Sequence, residues 1–103
     1  MSEFKVARVS EIAPGTTRVV DAGGTELMLC NAEGAIYAIE DLCTHDGGPL
    51  DQGELEGHCI VCPRHGGAFD VRTGAVVALP PVLPVATYPV RIEGDDVYVT
   101  VES

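Results

Sequence analysis

Cys43-Thr44-His45-Asp46-Gly47-Gly48-Pro49-Leu50 and Cys62-Pro63-Arg64-His65-Gly66-Gly67-Ala68-Phe69-Asp70 are the two segments that decide how this chain is read. Each offers a cysteine and a histidine a few residues apart, in surroundings dense in glycine and proline that read as loops. Two such loops brought together present two thiolates and two imidazoles. Donors of this kind suit a tetrahedral zinc ion. They also suit a two-iron cluster in which two histidines replace two cysteines on one of the irons. The usual finger pattern groups the two cysteines and then the two histidines, whereas here they are interleaved. The interleaving favours the iron reading, with Cys43 and Cys62 on one iron and His45 and His65 on the other.

Outward from these segments the sequence changes character. From about residue 41 to residue 84 it is rich in Gly, Pro, Cys and His. This stretch reads as a loop-rich, cluster-binding subdomain around two short strands, His58 to Val61 and Phe69 to Arg72. On either side, in residues 1–40 and 85–103, short β-prone segments alternate with turn residues. Phe4 to Val9, Thr17 to Asp21, Glu26 to Cys30, Ala35 to Glu40, Tyr88 to Ile92 and Val97 to Val101 are the expected strands. Ala22-Gly23-Gly24-Thr25 and Glu93-Gly94-Asp95-Asp96 read as hairpin turns. No segment has the periodicity of an amphipathic helix. The expected fold class is therefore all-β: a small antiparallel sandwich or barrel framework, residues 1–103 forming one domain, with the loop-rich subdomain inserted in it.

A chain of 103 residues has room for one compact domain, and this one has three Tyr, two Phe and no Trp with which to build its interior. Small cores of this kind are commonly supplemented by a metal or by disulfides. The N-terminus contains no apolar run of signal-peptide length. No stretch reaches the ~20 apolar residues of a membrane-spanning helix. The chain is therefore expected to be soluble and cytoplasmic, and its four cysteines to serve metal ligation rather than disulfides. Sixteen acidic residues against six basic ones give a formal charge of −10. That balance argues against nucleic acid and anionic membranes, both of which need basic patches. A protein with a basic docking surface fits better.

The motifs resemble those of the bacterial Rieske ferredoxins, the small electron carriers of multicomponent aromatic-ring oxygenases. The resemblance rests on Cys43-Thr44-His45, on Cys62 through Asp70, and on Thr73-Gly74 and Pro80-Pro81 beyond. It extends to Val9-Ser10-Glu11-Ile12-Ala13-Pro14-Gly15 and Ala35-Ile36-Tyr37-Ala38-Ile39. It implies the Rieske iron–sulfur fold and one [2Fe–2S] cluster held by Cys43, His45, Cys62 and His65. It also implies a non-enzymatic role: accepting one electron at a time from a flavin-dependent NAD(P)H reductase and passing it to a terminal oxygenase, as a monomer. A non-shuttling subunit of the nitrite reductase small-subunit type is the alternative, and a zinc-stabilised interaction module a further one.

Two ferric ions, two sulfides, two thiolates and two neutral imidazoles have formal charges that sum to about zero, which places such centres within roughly −150 to +300 mV. High-potential respiratory relatives carry a Ser and a Tyr hydroxyl bonded to the cluster, where this chain has Gly67 and Phe69. They also carry a disulfide cysteine where this chain has Arg64. A potential near the bottom of the range is therefore expected. Gly47, Gly48, Gly66 and Gly67 are expected to let the backbone approach the cluster and aim N–H groups at its sulfurs. Pro49, Leu50, Pro81 and Leu83 are expected to ring the exposed docking edge. Asp46, Asp51, Glu54 and Glu56 form an acidic neighbourhood beside it. Cys30 and Cys59 read as buried, reduced core residues, and His58 as a residue on a strand surface or edge. A terminal oxygenase is excluded by count: its mononuclear iron needs two further histidines and a carboxylate, and only His58 is left.

Overall fold

Leu27-Met28-Leu29-Cys30 is an apolar run in which no residue alternates with a polar one, the pattern of a strand covered on both faces. The computed structural model explains it with three stacked antiparallel sheets. It describes residues 1–44, 47–63, 66–79, 81 and 83–101. His45, Asp46, Arg64, His65, Pro80, Val82, Glu102 and Ser103 lie outside the described residues.

The first sheet has the order β1 (Ser2–Arg8), β11 (Asp96–Val101), β10 (Val90–Glu93). The second runs β2 (Thr17–Ala22), β3 (Thr25–Ala32), β4 (Ala35–Glu40), β9 (Thr87–Tyr88). The third runs β5 (Glu54–Glu56), β6 (Cys59–Val61), β7 (Ala68–Asp70), β8 (Val76–Ala78). One 3-10 turn, Val9–Glu11, follows β1.

The second sheet is the middle layer, and alternation along β3 and β4 assigns its faces. Leu27, Leu29 and Ala38 pack with Val97, Val99 and Val101 of β11, forming the core against the first sheet. Met28, Cys30, Ala32 and Ile39 face the other way, onto Ile60 and Phe69 of the third sheet and Val71 just beyond it. Cys43, Leu50 and Cys62 belong to this second core. The register Met28↔Ile39 and Leu29↔Ala38 keeps each pair on a common face. The one buried polar residue among those described is Asn31. Its amide donates to the Ile12 carbonyl at 2.7 Å and accepts the Gly34 N–H at 2.9 Å, so burying it leaves nothing unsatisfied.

Several expected boundaries move. The first strand ends at Arg8, because Val9 turns to donate its N–H to the Asp95 carbonyl. Tyr88 to Ile92, expected as one strand, is two. Pro89 has no N–H to give a ladder, and the chain changes sheets there: Tyr88 pairs with Ala38, whereas Val90 pairs with Val99. The predicted Phe69 to Arg72 strand is Ala68–Asp70, closed by a turn in which Gly74 N–H donates to the Asp70 carbonyl at 2.7 Å. β5 and β8 were not expected.

Thr73-Gly74, part of the sequence signature, has a mechanical purpose. Gly74 has φ +81°, and a Cβ built on it would lie 2.1 Å from the Val85 carbonyl oxygen. Val85 N–H in turn donates to the Gly74 carbonyl at 2.9 Å. This backbone-on-backbone approach ties the turn after β7 to the return of the chain toward β9. Gly74→Ala has to push that backbone aside and adopt a disfavoured φ, and should destabilise the fold by about 2 kcal/mol or more. Thermal or denaturant unfolding of the variant against the parent checks this.

Candidate metal centre

The two cysteine loops are built alike. In the first, Cys43 N–H donates to the Gly48 carbonyl at 2.7 Å and Gly47 N–H donates back to the Cys43 carbonyl at 2.7 Å. In the second, Cys62 N–H donates to Gly67 at 2.6 Å and Gly66 N–H to Cys62 at 3.0 Å. Gly47 and Gly66 both have φ +73°. The shared Cys-x-x-x-Gly-Gly spacing thus folds twice into the same turn, with the first glycine in the left-handed region that other residues avoid. The expectation that glycine N–H groups point at cluster sulfurs needs correction for these two, whose N–H groups close the turns.

Both turns deliver their cysteine to one place. Cys43 and Cys62 are each 1% exposed and belong to one core with Met28, Ile60 and Phe69. No disulfide joins any of the four cysteines. Two thiols buried in a common apolar core on twin loops, with no disulfide between them, fit a pair of sulfur ligands to one iron. His45 and His65, the predicted nitrogen ligands, lie outside the described residues.

The other cysteines separate by environment. Cys30 is 0% exposed, and burial, helped by the charge of Asp41, pushes its thiol up to about 12. It is thus a protonated core residue, as expected. Cys59 is only half-buried, because β6 places it at the rim of the third sheet opposite Asp70. His58 stands at the same rim, its Nε2 3.3 Å from a Glu33 carboxylate oxygen and its ring edge-on to Tyr37. The side chain of Arg72 donates twice to Asp70, at 2.8 and 3.1 Å, and these bonds hold the Asp70 carboxyl below the usual carboxylate range.

Of the four residues expected to ring the docking edge, two are exposed and two are buried. Pro49 and Leu83 are exposed, but Leu50 is 0% exposed and Pro81 is also fully buried. Leu50 turns inward because its backbone is held: Asp41 Oδ1 accepts the N–H groups of Leu50 and Asp51 at 2.8 and 2.9 Å. Burial first, and then the neighbouring Asp51 carboxyl, raise the pKa of Asp41. Val77 and Leu79 are exposed in their place, at 51% and 72%. Val76-Val77-Ala78-Leu79 is apolar throughout, so the sequence alone does not mark which of these side chains face outward. Leu83 belongs to the same rim as the first loop, since the Thr44 hydroxyl donates to its carbonyl at 2.7 Å. On the other side of Cys62 runs a groove lined by Gln52, Glu54, Glu56 and Pro63.

Three stacked sheets with two buried, twin-turned cysteines on adjoining loops describe the Rieske class of iron–sulfur protein. A family model of the Rieske [2Fe-2S] domain matches residues 2–89, and the chain belongs to that family. Its cofactor is a Rieske-type [2Fe–2S] cluster. The chain is similar to the ferredoxin component of the naphthalene 1,2-dioxygenase system of Pseudomonas aeruginosa, 45% identical over 89 residues and covering 86% of each chain. Among solved structures it is similar to the ferredoxin of carbazole 1,9a-dioxygenase from Nocardioides aromaticivorans IC177. That match has a TM-score of 0.93 and 38% identity, over 99% of this chain and 100% of the other. It is also similar to a chain in a complex of reduced oxygenase and oxidized ferredoxin in carbazole 1,9a-dioxygenase. There the TM-score is 0.88 and the identity 39%, over 94% and 91% of the two chains.

Proposed function

We propose that this chain is a one-electron carrier of a multicomponent aromatic-ring oxygenase, receiving electrons from an NAD(P)H-dependent flavin reductase and delivering them to a terminal Rieske oxygenase. The observation that carries this reading is the near full-length similarity to ferredoxin components of such systems, in a chain whose buried cysteine pair suits the cluster. The ligands are Cys43 and Cys62 on one iron and His45 and His65 on the other. When bound, the [2Fe–2S] group supplies reversible uptake of one electron. The chain itself contributes a dry core around the thiols. Residues 41–84 act as the cluster-binding subdomain within the framework 1–40 and 85–103, a division supported by a third sheet built wholly from residues 54–78. Among the described residues no helix is long and apolar enough to cross a membrane. The working form is a cytoplasmic monomer.

Exposed apolar residues (Pro49 on the first cysteine loop, Leu83 bonded to it through Thr44, Val77 and Leu79 on and just beyond β8) accompany exposed acidic ones (Asp51 on that loop, Glu54 and Glu56 on β5). Partners with basic, partly apolar faces fit there. Electron transfer to such a partner should slow as ionic strength rises, several-fold or more between ~10 mM and ~500 mM salt, because screening removes the steering. Stopped-flow reduction of the oxygenase by the reduced carrier measures it. The function itself is tested by reconstitution: NADH, flavoprotein reductase and terminal oxygenase should turn over an aromatic substrate only when this chain is added. A chain that stays bound to a reductase through gel filtration and supports no oxygenase turnover contradicts the shuttle and favours the fixed-subunit alternative.

A further inference from the structure

The two cysteine loops share a turn but are closed differently. The second loop lies between β6 and β7, neighbours in one sheet, and their ladder closes it at Val61↔Ala68. The first loop leaves β4 at Glu40 and returns at β5, which begins at Glu54. These two strands belong to different sheets, so no ladder brings the ends of that loop together. Asp41 does. Its Oδ1 accepts both Leu50 N–H at 2.8 Å and Asp51 N–H at 2.9 Å, so residues 41–51 leave from and return to one carboxylate.

The closure reaches the second loop as well. Leu50, held by Asp41, packs in the core that contains Cys43 and Cys62. Its carbonyl accepts Gly53 N–H at 2.9 Å. Gly53 is pressed against the strand that leads into Cys62: a Cβ there would lie 1.9 Å from the Val61 carbonyl oxygen. A single carboxylate thus fixes the far end of one cysteine loop against the start of the other. Two hydrogen bonds to an anionic acceptor are stronger than two to a neutral one.

We infer that Asp41 is a positioning residue for the cluster, clasping the Cys43 loop where no strand ladder can, and that its negative charge, two residues from Cys43, holds the reduction potential down. This rests on the ligand set proposed above.

The test compares the purified holoprotein with Asp41→Asn and Asp41→Ala. It follows the rate of iron loss to a chelator, the reduction potential, and the electron paramagnetic resonance of the reduced form. Asp41→Ala removes both acceptors, and iron should be lost at least about tenfold faster. Asp41→Asn keeps a carbonyl oxygen that can accept both N–H groups, so its rate should return to within about threefold of the parent. Its equilibrium constant for reduction should rise about threefold or more, read as an upward shift in potential. If Asp41→Ala does not accumulate folded, Asp41→Asn decides through its potential and its iron retention. Iron loss from Asp41→Ala at the parent rate overturns the clasp, as does Asp41→Asn losing iron as fast as Asp41→Ala. An unchanged potential in Asp41→Asn overturns the electrostatic part. A parent lacking the signal of a histidine-ligated cluster overturns the ligand set and this inference together. Unaltered variants of a normal parent overturn this inference alone.

Discussion

Cys62→Ser and Cys43→Ser are each expected to yield a colourless protein that carries no electrons. Serine keeps the size of the side chain but replaces the thiolate with an alcohol that remains protonated near neutral pH. The two thiols occupy one buried core at 1% exposure each, so no solvent-borne donor can take the lost position. The consequence extends beyond redox activity. Metal binding contributes directly to folding wherever a site is built from loops, and the described residues between 41 and 53 contain no strand of their own. The variants should therefore also melt well below the parent, by more than the 4–8 °C that about 1 kcal/mol costs a domain of this size. Visible absorption, iron and sulfide content, and a thermal melt measured together check both parts. Cys59→Ser is the control: that residue is half-buried at a sheet rim, and its variant should keep colour and potential.

The second large effect is on potential. Phe69 is 0% exposed on β7 and packs in the same core as both cysteines. Phe69→Tyr places a hydroxyl into this core, where it must find an acceptor or pay a desolvation cost of about 1–3 kcal/mol. The anionic sulfur atoms nearby are the acceptors that gain most from such a bond, and more so once an electron has been added. The potential should therefore rise, by about 59 mV for each tenfold gain in the equilibrium constant of this one-electron couple. At least one such step is expected. A redox titration of the variant beside the parent measures it. An unchanged potential, with the fold intact, would mean that the hydroxyl points away from the cluster.

Much of this was legible in the sequence, and the reasons differ by element. The β2–β3 and β10–β11 hairpins could be placed because Gly23-Gly24 and Gly94-Asp95 sit between β-prone segments, at positions whose turns demand such residues. The cysteines could be placed because each has a histidine two or three residues on, in a loop dense in glycine and proline. β5 and β8 were illegible: Glu54–Glu56 and Val76–Ala78 are three residues each, too short for any period to emerge. The break at Pro89 was visible as chemistry, but the change of sheet there is a property of the whole fold. Leu50 and Pro81 were misplaced because local sequence marks them as loop residues, whereas their burial depends on distant partners, a carboxylate nine positions upstream in the case of Leu50.

Asp41 is not legible in the sequence. An aspartate before a cysteine motif carries no local signal, and its importance emerges only when strands on either side of the loop are found in different sheets. The sequence marks the proposed cluster ligands more plainly than the residue that closes their loop.

The central claim is that Cys43, Cys62, His45 and His65 hold a [2Fe–2S] cluster of mixed ligation. It is tested most directly by electron paramagnetic resonance of the dithionite-reduced protein, with iron and acid-labile sulfide assayed on the same sample. Two irons and two sulfides per chain are expected, with a rhombic signal of the low average g of a histidine-ligated centre. A colourless, silent protein that contains zinc would contradict it and leave an all-β interaction module in its place.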